Sequence, residues 1–222
     1  MKISKHTIDL LKNFATINPS IYVESGSSIQ TSSPYKNIFA CADVEEEFDQ
    51  PFGIYELSRF LNIVSMMPDP DFQFFEKYVK ITSGRHSVKY QFASKEMILT
   101  QSVDTSIIDR FEGDVTFNIT ETDLSGLRKG AAILSKPEIQ FEFEDQQILA
   151  RAVDLENSTV DDFTVAVCQT PDVVNLAPVP FTLDSLKLLD GDYSVSLGDS
   201  SFGVFKHIHI PVYYAITTKA SV

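Results

Sequence analysis

A chain of 222 residues with 43% apolar side chains and 17 Phe holds enough apolar surface for one large core or two smaller ones. Its net charge of −13, from 18 Lys/Arg against 31 Asp/Glu, excludes a protein that grips nucleic acid over its whole surface, since phosphate contact needs Lys and Arg. No uncharged apolar run of about 18 residues occurs, which excludes a membrane-spanning helix.

The first segment, MKISKHTIDLLKNFATI, interrupts its apolar positions with Asp9 and Lys12 and has no small-residue cleavage site, so we expect no signal peptide. It predicts a helix over residues 2–16, with Ser4 as its cap. The runs IYVES, SIQTSS, NIFACAD and EEEFDQ then read as strands, with turns at Ser25-Gly26 and Ser33-Pro34. A second helix is predicted from Tyr55 to Met67, stopped by Pro68-Asp69-Pro70. DFQFF, YVKITS, SVKYQF and MILTQS follow as strands, with a hairpin signal at Ser83-Gly84. The mixed stretch Asp104 to Asp114 separates two halves, and the expected domains are 1–108 and 109–222. VTFNI leads into a third helix, Glu121 to Leu134, stopped near Pro137. EIQFEFE, QILARAVD and FTVAVCQ follow, with a turn at Glu144-Asp145. Residues 178–181 lead into a short fourth helix, Leu183 to Leu189, and DYSVSLG, GVFKHIHI and PVYYAITT close the chain.

One apolar spacing opens each helix: Ile3/Ile8/Leu11, Phe52/Leu57/Phe60, Ile119/Leu124/Leu127 and Phe181/Leu186/Leu189. The residue after the first position is Ser4, Gly53, Thr120 or Thr182, each a good N-cap type. The unit is thus a helix followed by three or four antiparallel strands, repeated four times and grouped as two similar domains, an α+β architecture. In EIQFEFE, Ile139, Phe141 and Phe143 point to one face and Glu138, Gln140, Glu142 and Glu144 to the other, which predicts one wet face.

The same units divide the charge. The windows 2–16, 53–67, 120–136 and 182–190 hold eight Lys/Arg and six Asp/Glu, a net of +2, which leaves −15 for the rest of the chain. Lys5 and Lys12 fall on one side of the first helix, with Asp9 and Lys2 nearby, and Lys129 and Lys136 lie together on the third. Arg128, Arg59 and Lys187 are the other helical cations. On any one helix these are ordinary solvated residues. Four equivalent helices with the same bias, in so acidic a chain, point to a surface that faces a polyanion.

Other constellations carry less. His207 and His209 share one strand face but lack a third ligand at metal spacing, so a structural or surface role is expected. The run Asp43 to Asp49 reads as an outer strand with Glu45 and Glu47 to solvent, not a cation site. Cys41 and Cys168 are expected as buried free thiols in a reducing compartment. There is no phosphate loop and no nucleophile elbow, and no catalytic, metal or cofactor site is expected.

The segment Lys2-Ile3-Ser4-Lys5-His6-Thr7, continued by Leu10-Leu11-Lys12-Asn13-Phe14-Ala15-Thr16-Ile17-Asn18, closely resembles the start of the sliding clamps of T-even-type bacteriophages. Ile54-Tyr55-Glu56-Leu57 and Phe60-Leu61 are similar to that family's second helix, and the C-terminal half resembles it in pattern. The resemblance implies a DNA polymerase processivity factor and not an enzyme: a homotrimeric ring of the clamp fold, with sheets outside and helices lining a hole for double-stranded DNA. It implies a replicative polymerase bound through its short C-terminal peptide, an ATP-driven clamp loader, a link to late transcription, and the cytoplasm of an infected bacterium. On this reading Lys2, Lys5, Lys12, Arg59, Arg128, Lys129, Lys136 and Lys187 face DNA. The sequence does not place the partner peptide; the segment with Ile107 and Ile108 is suggested by its location between the domains alone. The alternative is an adaptor with the same fold that acts through protein partners alone.

Overall fold

The computed structural model describes residues 1–98, 108, 111, 113–144, 146–157, 161–170 and 175–219. The chain divides into two compact units, Met1–Val103 and Asp104–Val222. The expected boundary at 108/109 falls in a stretch of which only Ile108 and Phe111 are described.

In the first unit, helix α1 (Lys5–Ile17) is followed by β1 (Ile21–Val23), β2 (Gly26–Ser32), β3 (Ile38–Phe48) and β4 (Phe52–Ile54). Helix α2 (Leu57–Ser65) then leads to β5 (Asp71–Phe75), β6 (Tyr78–Ser83) and β7 (His86–Gln91). Antiparallel pairs join β1 to β4, β2 to β3, and β5–β6–β7 in that order. Ser4 caps α1 as predicted: its hydroxyl accepts from the Thr7 N–H at 3.1 Å. The apolar stripe Leu10, Leu11, Phe14 and Ile17 is buried, whereas Ile8 of the expected triplet is only half-buried. Helix α2 begins two residues later than predicted. Its N-cap is Glu56, which makes no side-chain cap bond, and Gly53 belongs to β4. The two strands expected at 37–50 are one, β3, whose burial alternates from Ala42 to Phe48 with Asp43, Glu45 and Glu47 outside. At the β6–β7 hairpin Gly84 takes φ +56°, the left-handed conformation that the tight turn requires.

In the second unit, β8 (Val115–Ile119) feeds helix α3 (Glu121–Leu134), with the bounds the sequence predicts. Thr120 caps it, accepting from the Asp123 N–H at 3.2 Å. There follow β9 (Glu138–Glu144), β10 (Gln147–Val153), β11 (Phe163–Gln169), β12 (Val179–Thr182), β13 (Tyr193–Leu197), β14 (Phe202–His207) and β15 (Val212–Thr217). One sheet runs β11-β10-β9-β12, and β15-β14-β13-β8 are neighbours in another. Helix α3 lies against β9, β10 and β11. Phe117, Phe141, Phe181 and Phe205 join the two layers, with ring centroids 5.4–6.1 Å apart along the row.

Two expectations fail here. The fourth helix is absent: only a 3₁₀ turn, Leu183–Ser185, occupies the predicted span. A seven-residue helix gains too few hydrogen bonds to offset nucleation, and tertiary groups claim the backbone of this one. The Tyr193 hydroxyl donates to the Leu189 carbonyl (2.6 Å), the Leu189 N–H donates to the Tyr214 hydroxyl (3.2 Å), and Arg128 donates to the Leu186 carbonyl (3.0 Å). The wet face of β9 is not wet throughout. Glu138 is buried and pairs with Lys219 at 2.6 Å, because the chain end crosses there, the Lys219 N–H donating to the Pro180 carbonyl on β12.

Cys41 is buried as expected, but Cys168 is half-buried on β11, and burial pushes its thiol up. Ile108 is buried, so its side chain is not open to a partner peptide, and Ile107 lies outside the described residues. Among the described residues no helix is long and apolar enough to cross a membrane.

Candidate nucleic-acid interface

Helix α1 is anchored from below its N-terminus. Glu46 on β3 is buried, and its carboxylate accepts from the Ser4 N–H and from the Thr7 hydroxyl, the latter at 2.5 Å. Burial pushes this carboxyl up, but the bonds from Ser4 and Thr7 outweigh it and hold Glu46 below the usual carboxylate range. The first turn of α1 contains no acidic residue, so Glu46 supplies the negative charge that a helix N-terminus favours.

The outward face of α1 carries Lys5, Asp9 and Lys12. Asp9 bridges the two amines, at 2.7 Å to Lys5 Nζ and 3.0 Å to Lys12 Nζ. The Lys5 bond first, opposed by partial burial, and then the Lys12 bond hold its carboxyl below the ordinary value. Lys5 remains exposed and Lys12 largely so. The face is thus a net-positive triad whose amines are held by exposed ion pairs worth about 0–1 kcal/mol each.

The other predicted cations are placed variously. Lys2 precedes α1 and turns away to Asp69, 2.8 Å from its carboxylate. Arg59 on α2 pairs with Glu56 at 2.9 Å. Arg128 on α3 is half-buried, held by the Leu186 carbonyl, with Asp190 at 3.9 Å. Lys129 beside it is exposed and has no ion-pair partner among the described residues. Arg128 and Lys129 line a cleft of about 280 Å³ with Glu121, Leu124 and Asp190. Lys187 is half-buried in the non-helical segment.

Lys136 is a correction. It is 5% exposed and cannot serve as a DNA-facing residue. Helix α3 ends at Leu134 and Ser135 takes φ 53°, so the backbone reverses before Lys136 and the 3.6-residue period no longer applies to it. The Lys136 N–H instead bonds back to the Ala131 carbonyl at 2.8 Å.

The sequence reading missed the carboxylates that neutralise the helical cations. Lys5/Asp9 at i,i+4 and Glu56/Arg59 at i,i+3 were legible as spacings; Asp69 and Asp190 were not, since they come from other turns. His207 is structural: its Nδ1 accepts from the N–H groups of His209 (3.1 Å) and Ile210 (3.3 Å), which places the proton on Nε2, 3.2 Å from the Asp190 carbonyl. Gly191, at φ +141°, lies where a Cβ would strike the His207 ring. Among the described residues no group of three or more His, Cys, Asp or Glu is placed to hold a metal.

Residues 2–100 match the family model of the DNA polymerase processivity factors. The chain is 29% identical over 223 residues to the sliding clamp of Vibrio phage KVP40, covering 99% of this chain and all of that one. It is 35% identical over 101 residues to the sliding clamp of Escherichia phage RB69, 45% of this chain and 44% of the other. Among solved structures, A. fulgidus PCNA bound to the C-terminal region of FEN-1 superposes with a TM-score of 0.73 at 13% identity, over 100% of this chain and 98% of that chain. At that identity the likeness establishes the fold alone, and the fold is that of the DNA clamps. The match to the DNA polymerase processivity factors covers residues 2–100, and the similarity to the KVP40 protein extends over the whole chain. It is also similar to the sliding clamp of Enterobacteria phage T4, 44% identical over 69 residues, 31% of this chain and 30% of the other.

Proposed function

We propose that copies of this chain close into a homotrimeric ring that encircles double-stranded DNA and tethers a replicative polymerase to it. The observation that carries the ring is the state of the sheet edges. In β5-β6-β7 the β5 edge is covered by Met1, whose carbonyl accepts from the Phe72 N–H at 2.8 Å. In β11-β10-β9-β12 the β12 edge is covered by Lys219. Among the described residues β7 and β11 have no strand on their outer side. Open edges invite pairing. One in each unit allows a head-to-tail contact that repeats until it closes. Two similar units per chain make three chains the natural closure.

The ring stays on DNA by topology, so its helices need only a weak, sequence-independent attraction. Lys5, Lys12, Arg59, Lys129 and, less exposed, Arg128 suit that role. Among the described residues three of the four expected helices form and carry these cations. A clamp loader that opens the ring with ATP, a partner in late transcription and action in the host cytoplasm belong to the same proposal.

Light scattering after gel filtration tests the assembly. A trimer that dissociates to monomer on dilution is the expected result; a monomer at every concentration overturns the reading. Polymerase stimulation with loader and ATP separates the clamp from the adaptor, which would give none.

A further inference from the structure

Many cations of this chain are neutralised within it: Lys2, Lys5, Lys12, Arg59, Lys95, Arg128, Arg151 and Lys219 pair with carboxylates. Lys77, Lys80, Arg85 and Lys89, all exposed on β6, β7 and the adjoining turns, have no carboxylate partner among the described residues. Lys80 and Lys89 are direct cross-strand partners in the β6–β7 register. Like charges so placed are destabilising, and the Tyr78 ring, 4.1 Å from the Lys89 amine, offsets only part of that. A patch that costs stability within the chain, in a protein of net charge −13, calls for an acidic partner outside it.

The second unit carries a patch of the opposite sign. On β9–β11 the single cation Arg151 faces Glu142 at 3.0 Å, Asp162 at 3.6 Å and Glu144 at 3.8 Å, with Asp161 beside them. Burial raises the Glu142 carboxyl, and the charges of Glu144 and Asp162 raise it further against the pull of Arg151, a mark of surplus negative charge.

Both patches lie on the sheet faces opposite the helices. Tyr90, the neighbour of Lys89, points the other way and meets Phe60 of α2 with ring centroids 5.1 Å apart. Ala150 and Ala152, the neighbours of Arg151, are buried, and Gly130 of α3 abuts Phe163 at the start of β11. A sheet continued from β7 of one copy into β11 of the next, with helices on one side, therefore sets the two outer faces side by side on one surface.

We propose that the joint is steered and held by charge: the cationic outer face of β6–β7 receives the acidic outer face of β9–β11 of a second copy of this chain. The proposal rests on the ring reading above and adds the chemistry of its joint. The two edges, each without a neighbouring strand among the described residues, and the opposite signs of the patches beside them favour another copy over any other acidic partner. Salt weakens such a joint, since exposed charges are screened.

The test follows assembly against concentration by analytical ultracentrifugation, at low salt and at about 1 M salt, where the Debye length falls to about 3 Å. Lys80→Glu/Lys89→Glu is expected to raise the concentration of half-assembly about tenfold or more at low salt, and Asp161→Lys/Asp162→Lys to do the same. Combining all four substitutions in one chain is expected to recover assembly to within about threefold of the unmodified chain. Circular dichroism confirms that each variant is folded. If the lysine reversals assemble like the unmodified chain, or the fourfold variant fails to recover, the charge proposal is overturned while the ring stands. It is equally overturned if those reversals leave assembly intact and weaken only the retention of duplex DNA. An unmodified chain that never assembles refutes the ring itself.

Discussion

Replacing Glu46 tests whether one buried carboxylate on β3 holds the first helix in place. In Glu46→Ala the Ser4 N–H and the Thr7 hydroxyl lose their acceptor in a buried setting. Hydrogen bonds to a charged group contribute about 1.5–3 kcal/mol, and a buried donor left unsatisfied costs about 1–3 kcal/mol. The two losses overlap, so we expect about 2–4 kcal/mol for Ala. Glu46→Gln keeps one acceptor oxygen and loses the charge, and we expect about 1–2 kcal/mol. The Ser4 cap on the Thr7 N–H remains in both variants, so α1 should fray at its first turn and not dissolve. Urea unfolding at one fixed chain concentration gives the free energy, and amide exchange at residues 4–8 locates the change. The pH dependence follows from the folded carboxyl lying below its unfolded value. Its contribution is complete above the ordinary carboxylate range and is lost as pH falls through the depressed value. Glu46→Gln should abolish that part of the acid slope. A Glu46→Ala variant within about 0.5 kcal/mol of the unmodified chain, with an unchanged acid slope, would refute the reasoning.

Lys129 and Lys136, which the helical period places together, should behave oppositely. Lys129→Glu should leave the melting temperature within about 2 °C and shorten the residence of loaded clamps on DNA, whereas Lys136→Glu should lower the melting temperature by several degrees; matched effects of the two in a melting and a processivity assay would contradict the placement. Tyr214→Phe removes the acceptor for the Leu189 N–H and should cost about 1 kcal/mol by urea unfolding, with faster amide exchange confined to residues 186–190. Burial pushes the Tyr214 phenol up to about 12, so the folded chain keeps a proton that the unfolded chain releases. Stability should therefore decline as pH rises above the ordinary phenol value, and less steeply in Tyr214→Phe.

Much of the fold was legible because it is local. Strand periodicity of two and flanking turn residues place β5, β6, β8, β9 and β11 at their observed bounds, and the Thr120 cap with its apolar stripe places α3. The exposure of the helical cations was legible where a cation stands on a true helix, as Lys5, Lys12, Arg59 and Lys129 do. It failed at Lys136, one residue beyond a left-handed turn.

The sequence by itself determined which segments are amphipathic, where two of the helices begin, and that an acidic chain keeps its helices relatively basic. Those properties depend on residues within a few positions of one another. Tertiary structure decided whether Leu183 to Leu189 forms a helix, because Tyr193, Tyr214 and Arg128 bind its backbone from distant elements. It decided which acid buries itself beneath α1 and which cations remain unpaired. A charge is neutralised by whatever lies within a few ångströms, and residues 42 to 81 positions apart along the chain supply those neighbours at Ser4–Glu46 and Glu138–Lys219.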